Sequence, residues 1–214
     1  MDPIKETFKN QAEQIIKSLK KRNINGVYYE NGREAVEAVC KLIPDGALVG
    51  LGGSMTIIET GLIDALRKMN IRLLDRYKEG VTPERINEMR RESLLSDVFI
   101  ASSNAITSDG KLVNQDGVGN RVAAMIYGPK KVILMVGMNK VVRSVEDGIA
   151  RIKTTAGPIN AVRVQVDTPC SKLGFCSDPN CHPPYRICNQ LVVTESSSDP
   201  ERITVVLIGE SLGY

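Results

Sequence analysis

The sequence contains no tryptophan, and its 214 residues include only three phenylalanines and six tyrosines. The net charge of +3 is spread over interspersed acids and bases. The chain therefore offers few stacking surfaces and no extended basic face, so nucleic-acid binding is not indicated. The single histidine, His182, leaves no obvious Ser-His-Asp set, and no obvious pair of catalytic acids is present.

Long hydrophobic runs are also missing. The longest run, 132–138, is far shorter than the roughly 20 residues that a membrane-spanning helix needs. Charged residues interrupt the N-terminal segment, so no signal peptide is expected there. We therefore expect a cytoplasmic protein without a membrane span. In a reducing compartment the five cysteines favour metal binding or redox chemistry over structural disulfides.

Two familiar glycine signatures are absent around Gly52 and Gly53. A dinucleotide fingerprint requires a third glycine where Met55 stands, and a phosphate-binding P-loop requires a lysine after the second glycine. The two glycines instead join a predicted strand to a predicted helix. The exposed N–H groups at the start of such a helix favour an anion. In the alternative, the glycines only form a tight turn, and Thr56 and Glu59 cap the helix.

Strand-like and helix-like segments alternate along the chain. The predicted strands are 27–30, 47–51, 71–75, 98–101 and 131–136, and the predicted helices between and after them are 31–42, 55–69, 83–96 and 144–155. This alternation, with apolar central strands, predicts an α/β fold in which a mostly parallel sheet is flanked by helices. Two late segments, 190–194 and 202–208, predict a closing β-hairpin or a pair of edge strands.

We expect one domain over residues 1–214. Residues 1–24 form a predicted helical appendage with one apolar stripe, which favours a homodimer. Residues 168–190 form a predicted cysteine-rich loop.

Polar or glycine-rich junctions follow three predicted strands, at 52–54, 102–104 and 137–140. We expect them at one edge, because ligands of parallel sheets bind beyond the carboxyl ends of the strands. Between the last two junctions, two Asp-Gly turns typical of a hairpin precede a second glycine-led helix start. The amide and charged side chains around this helix start are typical of a site for a small anionic metabolite, with Arg121 as a bidentate carboxylate or phosphate partner. The predicted ligand-binding residues are Gly52, Gly53, Ser54, Met55, Thr56, Asn104, Asn114, Asp116, Gly117, Gly119, Asn120, Arg121, Asn139 and Lys140.

Four cysteines, Cys170, Cys176, Cys181 and Cys188, lie in a proline-rich stretch that is not expected to form regular helix. Concentrated thiolates suit a structural zinc or an iron–sulfur cluster. However, the intervals of five, four and six residues differ from the paired C-x2-C knuckles of well-defined metal sites. A metal site, a redox disulfide pair and free thiols all remain open. His182 is either a further candidate ligand or an incidental surface histidine.

Three stretches, "GLGGSMTIIETGL", "SSNAITSDGKLVNQDGVGNRVAAMIYGPKKVILMVGMNK" and "TPCSKLGFCSDPNCHPPYRICNQLVVT", together resemble the LUD-domain family, which is named for lactate utilisation. The resemblance covers essentially the whole chain. It implies a fold like that of the glucosamine-phosphate deaminase, ribose-phosphate isomerase and CoA-transferase group. It also implies action beside iron–sulfur partner proteins, as in relatives that oxidise L-lactate to pyruvate, although many members have no known activity.

Three functions follow as hypotheses. The first is a subunit or accessory protein in the oxidation of lactate or a related small organic acid, with a metal or redox centre in the cysteine loop. The second is a non-catalytic metabolite-binding or sensor module that uses the same pocket. The third is a CoA transferase or sugar-phosphate isomerase, with Glu59 or Asp116 as nucleophile or base.

Overall fold

A computed structural model describes residues 2–177 and 181–214 of the chain. Within these residues the strands are β1 (Asn25–Tyr29), β2 (Leu48–Leu51), β3 (Arg72–Leu73), β4 (Val98–Ala101), β5 (Ala105–Thr107), β6 (Leu112–Asp116), β7 (Lys131–Gly137), β8 (Val141–Val142), β9 (Gln190–Thr194) and β10 (Ile203–Ile208). The α-helices are α1 (Pro3–Lys21), α2 (Gly32–Lys41), α3 (Met55–Glu59), α4 (Leu62–Leu66), α5 (Pro83–Glu92), α6 (Asn120–Ile126), α7 (Val145–Arg151), α8 (Gly157–Arg163) and α9 (Pro169–Leu173).

The main sheet has six strands in the order β1-β10-β7-β4-β2-β3. Each neighbouring pair is parallel, which confirms the predicted sheet. The carboxyl ends of β7, β4 and β2 therefore lie side by side at one edge.

Apolar cores cover both faces of this sheet. Along β7, Val132, Leu134 and Val136 belong to one buried cluster, while Ile133 and Met135 belong to the other. This alternation follows from the pleat of a strand, which points successive side chains to opposite faces. Because both faces are covered by helices, the central strands are apolar at nearly every position.

The second sheet has four strands in the order β8-β5-β6-β9. Strands β5 and β6 form the predicted hairpin around Asp109 and Gly110, and Gly110 has φ +86°. The predicted closing hairpin is wrong: β9 pairs antiparallel with β6, whereas β10 inserts between β1 and β7 in the main sheet. Five of the six positions of β10 are buried, and only the interior of a covered sheet buries both faces of a strand.

Two predicted helices have different bounds in the structure. Gly61, with φ +74°, separates α3 from α4, so the segment predicted as one helix is two short ones. The helix predicted to end at Thr155 continues through a π-helical turn, Ile152–Ala156, into α8. The wider turn comes just before Pro158, whose ring would otherwise approach the carbonyl group four residues earlier.

The N-terminal helix packs on its own chain. Ala12, Ile15 and Leu19 are buried, and a Cβ atom at Gly26 on β1 would lie 2.9 Å from Leu19 Cδ1. The apolar stripe that favoured a homodimer is thus used within the protomer, and the oligomeric state stays a prediction. Among residues 2–177 and 181–214, no helix is both long and apolar enough to cross a membrane.

The predicted cysteine-rich loop, 168–190, contains a short helix that the sequence did not predict. This helix, α9, carries Cys170 and is capped by the side chain of Thr168, which accepts a hydrogen bond from Ser171 N. Part of the predicted loop, 178–180, lies outside the described residues.

Candidate functional site

The three predicted junctions meet beyond the carboxyl ends of β2, β4 and β7. Lys140, at the end of the 3₁₀ turn that follows β7, connects them through its ammonium group. Its Nζ lies 2.8 Å from Thr56 Oγ1 beyond β2 and 3.0 Å from Ser102 Oγ beyond β4. Parallel strand order thus brings together residues that are far apart in the sequence.

The environment of Lys140 is unusual for a lysine. Only 3% of its surface is exposed, and its hydrogen-bond partners are neutral hydroxyl groups. Burial lowers its pKa to about 7, and the positive charges of Arg151 and Arg121 act in the same direction, against a smaller opposing effect of Glu59. No carboxylate among the described residues forms an ion pair with Lys140.

A cavity of about 330 Å³ opens in front of this lysine. Five cationic side chains line it, whereas Asp116 is the one acidic side chain that lines it among the residues described. The cations are Arg76, Arg90, Arg121, Lys140 and Arg163. An excess of positive charge in a concave site favours an anionic ligand.

Arg121, expected to bind a ligand directly, is instead held by the protein. Its Nε lies 2.9 Å from Asp116 Oδ1, and its Nη1 donates to Ser102 O at 2.6 Å and to Asn114 Oδ1 at 2.7 Å. Its Nη2 donates to Asn104 Oδ1 at 2.7 Å and to Gln115 O at 3.2 Å. A guanidinium has five N–H donors, and these five hydrogen bonds use all of them. Arg121 therefore shapes the wall of the cavity and has no donor left for a ligand.

Asp116 has a structural role as well. Its Oδ2 accepts hydrogen bonds from the backbone N–H groups of Arg121 and Val122, at 2.9 and 3.0 Å, while its Oδ1 pairs with the Arg121 side chain. The carboxylate thereby satisfies the free donors at the start of α6. Because both oxygens are occupied, the geometry does not support the predicted role of Asp116 as a nucleophile or base.

Glu59 lies outside the cavity. It is exposed, its Oε2 accepts a hydrogen bond from Gly213 N at 2.6 Å, and it lines a different cleft together with Glu210. The structure therefore does not support its predicted catalytic role at this site. Its predicted capping role is also wrong, because Ser54 caps α3 by accepting a hydrogen bond from Ile57 N.

The predicted glycine turn is held by a tyrosine. The hydroxyl of Tyr77 donates to Gly52 O at 2.9 Å and accepts from Ser54 N at 3.1 Å. A Cβ atom at Gly52 would lie 2.8 Å from Ala101 Cβ, so close packing between β2 and β4 requires glycine there. Since α3 is short and already capped, the charge of the cavity comes from side chains and not from this helix.

Most of the predicted ligand-binding residues do line the cavity: Gly53, Ser54, Met55, Asn104, Asp116, Gly117, Asn120, Arg121 and Lys140. Gly52, Thr56, Asn114, Gly119 and Asn139 do not. Thr56 reaches the cavity through Lys140, and Asn114 braces Arg121. Asn139 binds the C-terminal segment, with its Nδ2 3.2 Å from Gly213 O.

Three arginines of the cavity were missed by the sequence analysis: Arg76, Arg90 and Arg163. Arg76 directly follows the predicted strand 71–75, so the rule that ligands bind beyond strand ends could have identified it. Arg90 lies on α5, and Arg163 is the last residue of α8. No local pattern marks these two, because only the packing of their helices brings them to the cavity.

Cys188 lines the cavity, and Cys170, Cys176 and Cys181 lie close enough to Cys188 to affect its pKa. Burial, followed by the neighbouring Cys170 and Cys176, raises the pKa of Cys188 to about 11. Within the described part of the chain, no group of three or more His, Cys, Asp or Glu side chains is arranged to hold a metal ion. Metal binding by these cysteines therefore stays a prediction.

Comparisons with known proteins address the family and the fold. No curated protein matches this chain. A crystal structure of a DUF162 family protein from Deinococcus radiodurans is similar, with a TM-score of 0.50 and 13% sequence identity over 95% of this chain and 98% of that one. At this identity the similarity supports the fold alone. The family model of the LUD domain matches residues 12–208, and the protein therefore belongs to the LUD domain family.

Proposed function

We propose that this LUD domain protein binds a small organic anion in the cavity in front of Lys140 and serves as a subunit or accessory protein in the oxidation of lactate or a related small organic acid. The observation that carries the proposal is the Lys140 ammonium group, buried at the strand ends without a carboxylate partner among the described residues. A ligand carboxylate would supply the missing counter-charge.

The pKa of Lys140 supports this interpretation. A lysine that stays charged without a partner has to overcome the cost of leaving water, and here its pKa falls to about 7. A bound carboxylate would favour the charged form and raise this pKa again. The neutral donors of the lining, such as Ser54 and Asn120, would then orient the rest of the ligand.

A non-catalytic binding or sensor module is the second candidate. It is favoured by the engagement of Asp116 with Arg121 and by the position of Glu59 outside the cavity. The same two observations weaken the proposal of a CoA transferase or isomerase, which relied on these carboxylates. Oxidation of lactate to pyruvate releases two electrons and two protons, so the first proposal requires an electron-accepting partner, for which iron–sulfur proteins are suited.

Calorimetric titration with glycolate, lactate and pyruvate tests the binding proposal. We expect at least one acid to bind the native protein and to bind Lys140→Gln at least tenfold more weakly, since a charged hydrogen-bond donor is lost. Lys131→Gln is the matched control, because it changes an exposed lysine at the opposite end of β7. Failure of all three acids to bind, or equal binding to Lys140→Gln, would contradict the proposal.

Pyruvate formation separates the two candidates. The purified chain is incubated with lactate and an artificial electron acceptor, alone and with candidate iron–sulfur partner proteins. An accessory role predicts pyruvate only when a partner is present. Binding without pyruvate formation in either mixture would favour the sensor module.

A further inference from the structure

The three arginines that the sequence analysis missed form a second cationic group in the cavity, which we call the arginine trio: Arg76, Arg90 and Arg163. They come from three separate elements, the segment after β3, α5 and α8. Arg163 is exposed and the other two are partly buried, whereas Lys140 is almost fully buried. The trio therefore lies nearer to solvent than Lys140 does.

None of the three arginines forms an ion pair with a side chain among the described residues. Elsewhere, Arg22, Arg67 and Arg85 each bind an aspartate or glutamate at the surface. The trio instead contacts neutral groups: Arg90 Nη1 lies 2.7 Å from Asn87 Oδ1, and Arg163 Nη2 lies 2.7 Å from Asn160 Oδ1.

The trio also has unused hydrogen-bonding capacity. Arg90 Nε is buried and has no hydrogen-bond partner in the described structure. Arg76 lies over the ring of Tyr77, with 5.7 Å between its Cζ and the ring centre. Burial lowers the pKa of Arg76, and the nearby charges of Arg90 and Arg163 act in the same direction, against an opposing effect of Tyr77. Like charges held together without a counter-ion are unfavourable unless a ligand compensates them.

Three guanidinium groups in one place suit a group with several charged oxygens. Phosphate meets this requirement, because its oxygens accept the paired N–H donors of arginine and its two charges offset more than one cation. A carboxylate alone carries one charge and would be held at Lys140. A cavity of about 330 Å³ is at the lower end of the range for small-molecule sites, which favours a short ligand.

We propose that the ligand is a short phosphorylated organic acid, whose carboxylate binds at Lys140 and whose phosphate binds at the arginine trio. This inference rests on the proposed function, since it assigns the class of anion that the same cavity accepts. It adds a phosphate subsite formed by Arg76, Arg90 and Arg163.

Matched pairs of acids test the phosphate subsite. Glycolate is compared with 2-phosphoglycolate, and glycerate with 3-phosphoglycerate, by calorimetric titration of the full chain at low salt. We expect the phosphorylated member of at least one pair to bind about tenfold or more tightly, because it adds charge-assisted hydrogen bonds. Arg90→Gln and Arg163→Gln should remove most of this difference, because each should weaken the binding of the phosphorylated acid far more than that of the plain acid.

Arg143→Gln is the control variant, because Arg143 is exposed, pairs with Asp147 on α7 and does not line the cavity. Arg163 is itself exposed, so its substitution should leave the fold intact, as a thermal melt would verify. Equal affinity for both members of each pair, with no effect of either trio variant, would overturn the phosphate subsite and leave the proposed function standing. Failure of every acid to bind would overturn both.

Discussion

The guanidinium of Arg121 and the carboxylate of Asp116 form a buried ion pair, with 2.8 Å between Nη2 and Oδ1. Less than a tenth of Asp116 and about a tenth of the Arg121 side chain are exposed. The pair joins the end of β6 to the start of α6 and thereby shapes one wall of the cavity. This wall is a structural prerequisite for the site.

Asp116→Asn should destabilise the protein strongly. The substitution leaves the buried Arg121 charge without its counter-ion, which typically costs about 3–5 kcal/mol. Asp147→Asn is the matched control, because Asp147 in the first turn of α7 pairs with the exposed Arg143, and loss of this pair should cost less than about 1 kcal/mol. Urea unfolding measures both changes. Similar small losses in the two variants would contradict the structural role of the pair.

Lys140 should make the native protein more stable as the pH rises above 7. Its pKa is about 7 in the folded chain, against 10.5 for an unperturbed lysine, so between these values the unfolded chain holds a proton that the folded chain has lost. Relative to Lys140→Met, the native protein should gain about 1.4 kcal/mol per pH unit from about pH 7.5 to 9.5. Urea unfolding at several pH values tests this, with Lys131→Met as a control that shows no such trend. If the difference in unfolding free energy between the native protein and Lys140→Met did not change with pH, the lowered pKa of Lys140 would be wrong.

Binding of a carboxylate should weaken over the same pH range. The charged form of Lys140 attracts the anion, and its pKa of about 7 is set by burial and by the charges of Arg151, Arg121 and Glu59. Affinity for glycolate should therefore fall by up to about tenfold per pH unit above the pKa of Lys140 in the ligand-free protein. Titrations at pH 6, 7, 8 and 9 measure the effect. In Lys140→Gln the residual affinity should not vary in this way, and a native affinity that stays constant would refute the prediction.

Gly52→Ala should destabilise the junction of β2 and β4. The added Cβ would lie 2.8 Å from Ala101 Cβ and 3.4 Å from Arg121 Cγ, and overpacking of this kind costs about 1–3 kcal/mol. Gly53→Ala is the neighbouring control, because its nearest contact would be the end of Arg76 at 3.7 Å. Thermal and urea unfolding compare the two variants. Equal stability would show that the strands can separate to accept the methyl group.

Metal content tests the predicted cysteine site. If the four loop cysteines bind a metal, protein purified without oxygen should contain about one zinc ion or iron–sulfur cluster per chain. Cys176→Ser should lose it, whereas Cys40→Ser, which changes a cysteine of the core on α2, should retain it. Elemental analysis and sulfide determination provide the measurement. Metal-free native protein whose melting temperature is unaffected by a chelator would rule out the site.

Local patterns were sufficient to predict much of the main sheet. The predicted strand 98–101 coincides with β4, and the residues after it, at 102–104, line the cavity. Strand and helix periods depend on neighbours a few positions apart, so they can be recognised in the sequence. The rule for strand ends then placed three junctions together, and Lys140 confirms that they meet.

The pairing of distant strands could not be predicted in this way. Strands β9 and β10 are neighbours in the sequence, and their pattern predicted that they pair with each other, but they belong to different sheets. The partner of β9 is β6, and the partners of β10 are β1 and β7, all far away along the chain. The choice depends on which surface buries the apolar faces of β10, and this surface exists only once the rest of the sheet has formed.

The amino-acid sequence by itself determined the parallel architecture, the edge at which the site lies and the presence of Ser54, Asn120 and Lys140 at that edge, because these follow from periodicity and from strand direction. Only the tertiary structure decided which charged side chains pair with each other and which of them line the cavity. It paired Arg121 with Asp116, placed Glu59 outside the cavity and brought the arginine trio into it. The physical reason is that ion pairing and burial depend on which groups from separate helices come within a few ångströms of one another, and the order of residues along the chain does not specify these distances.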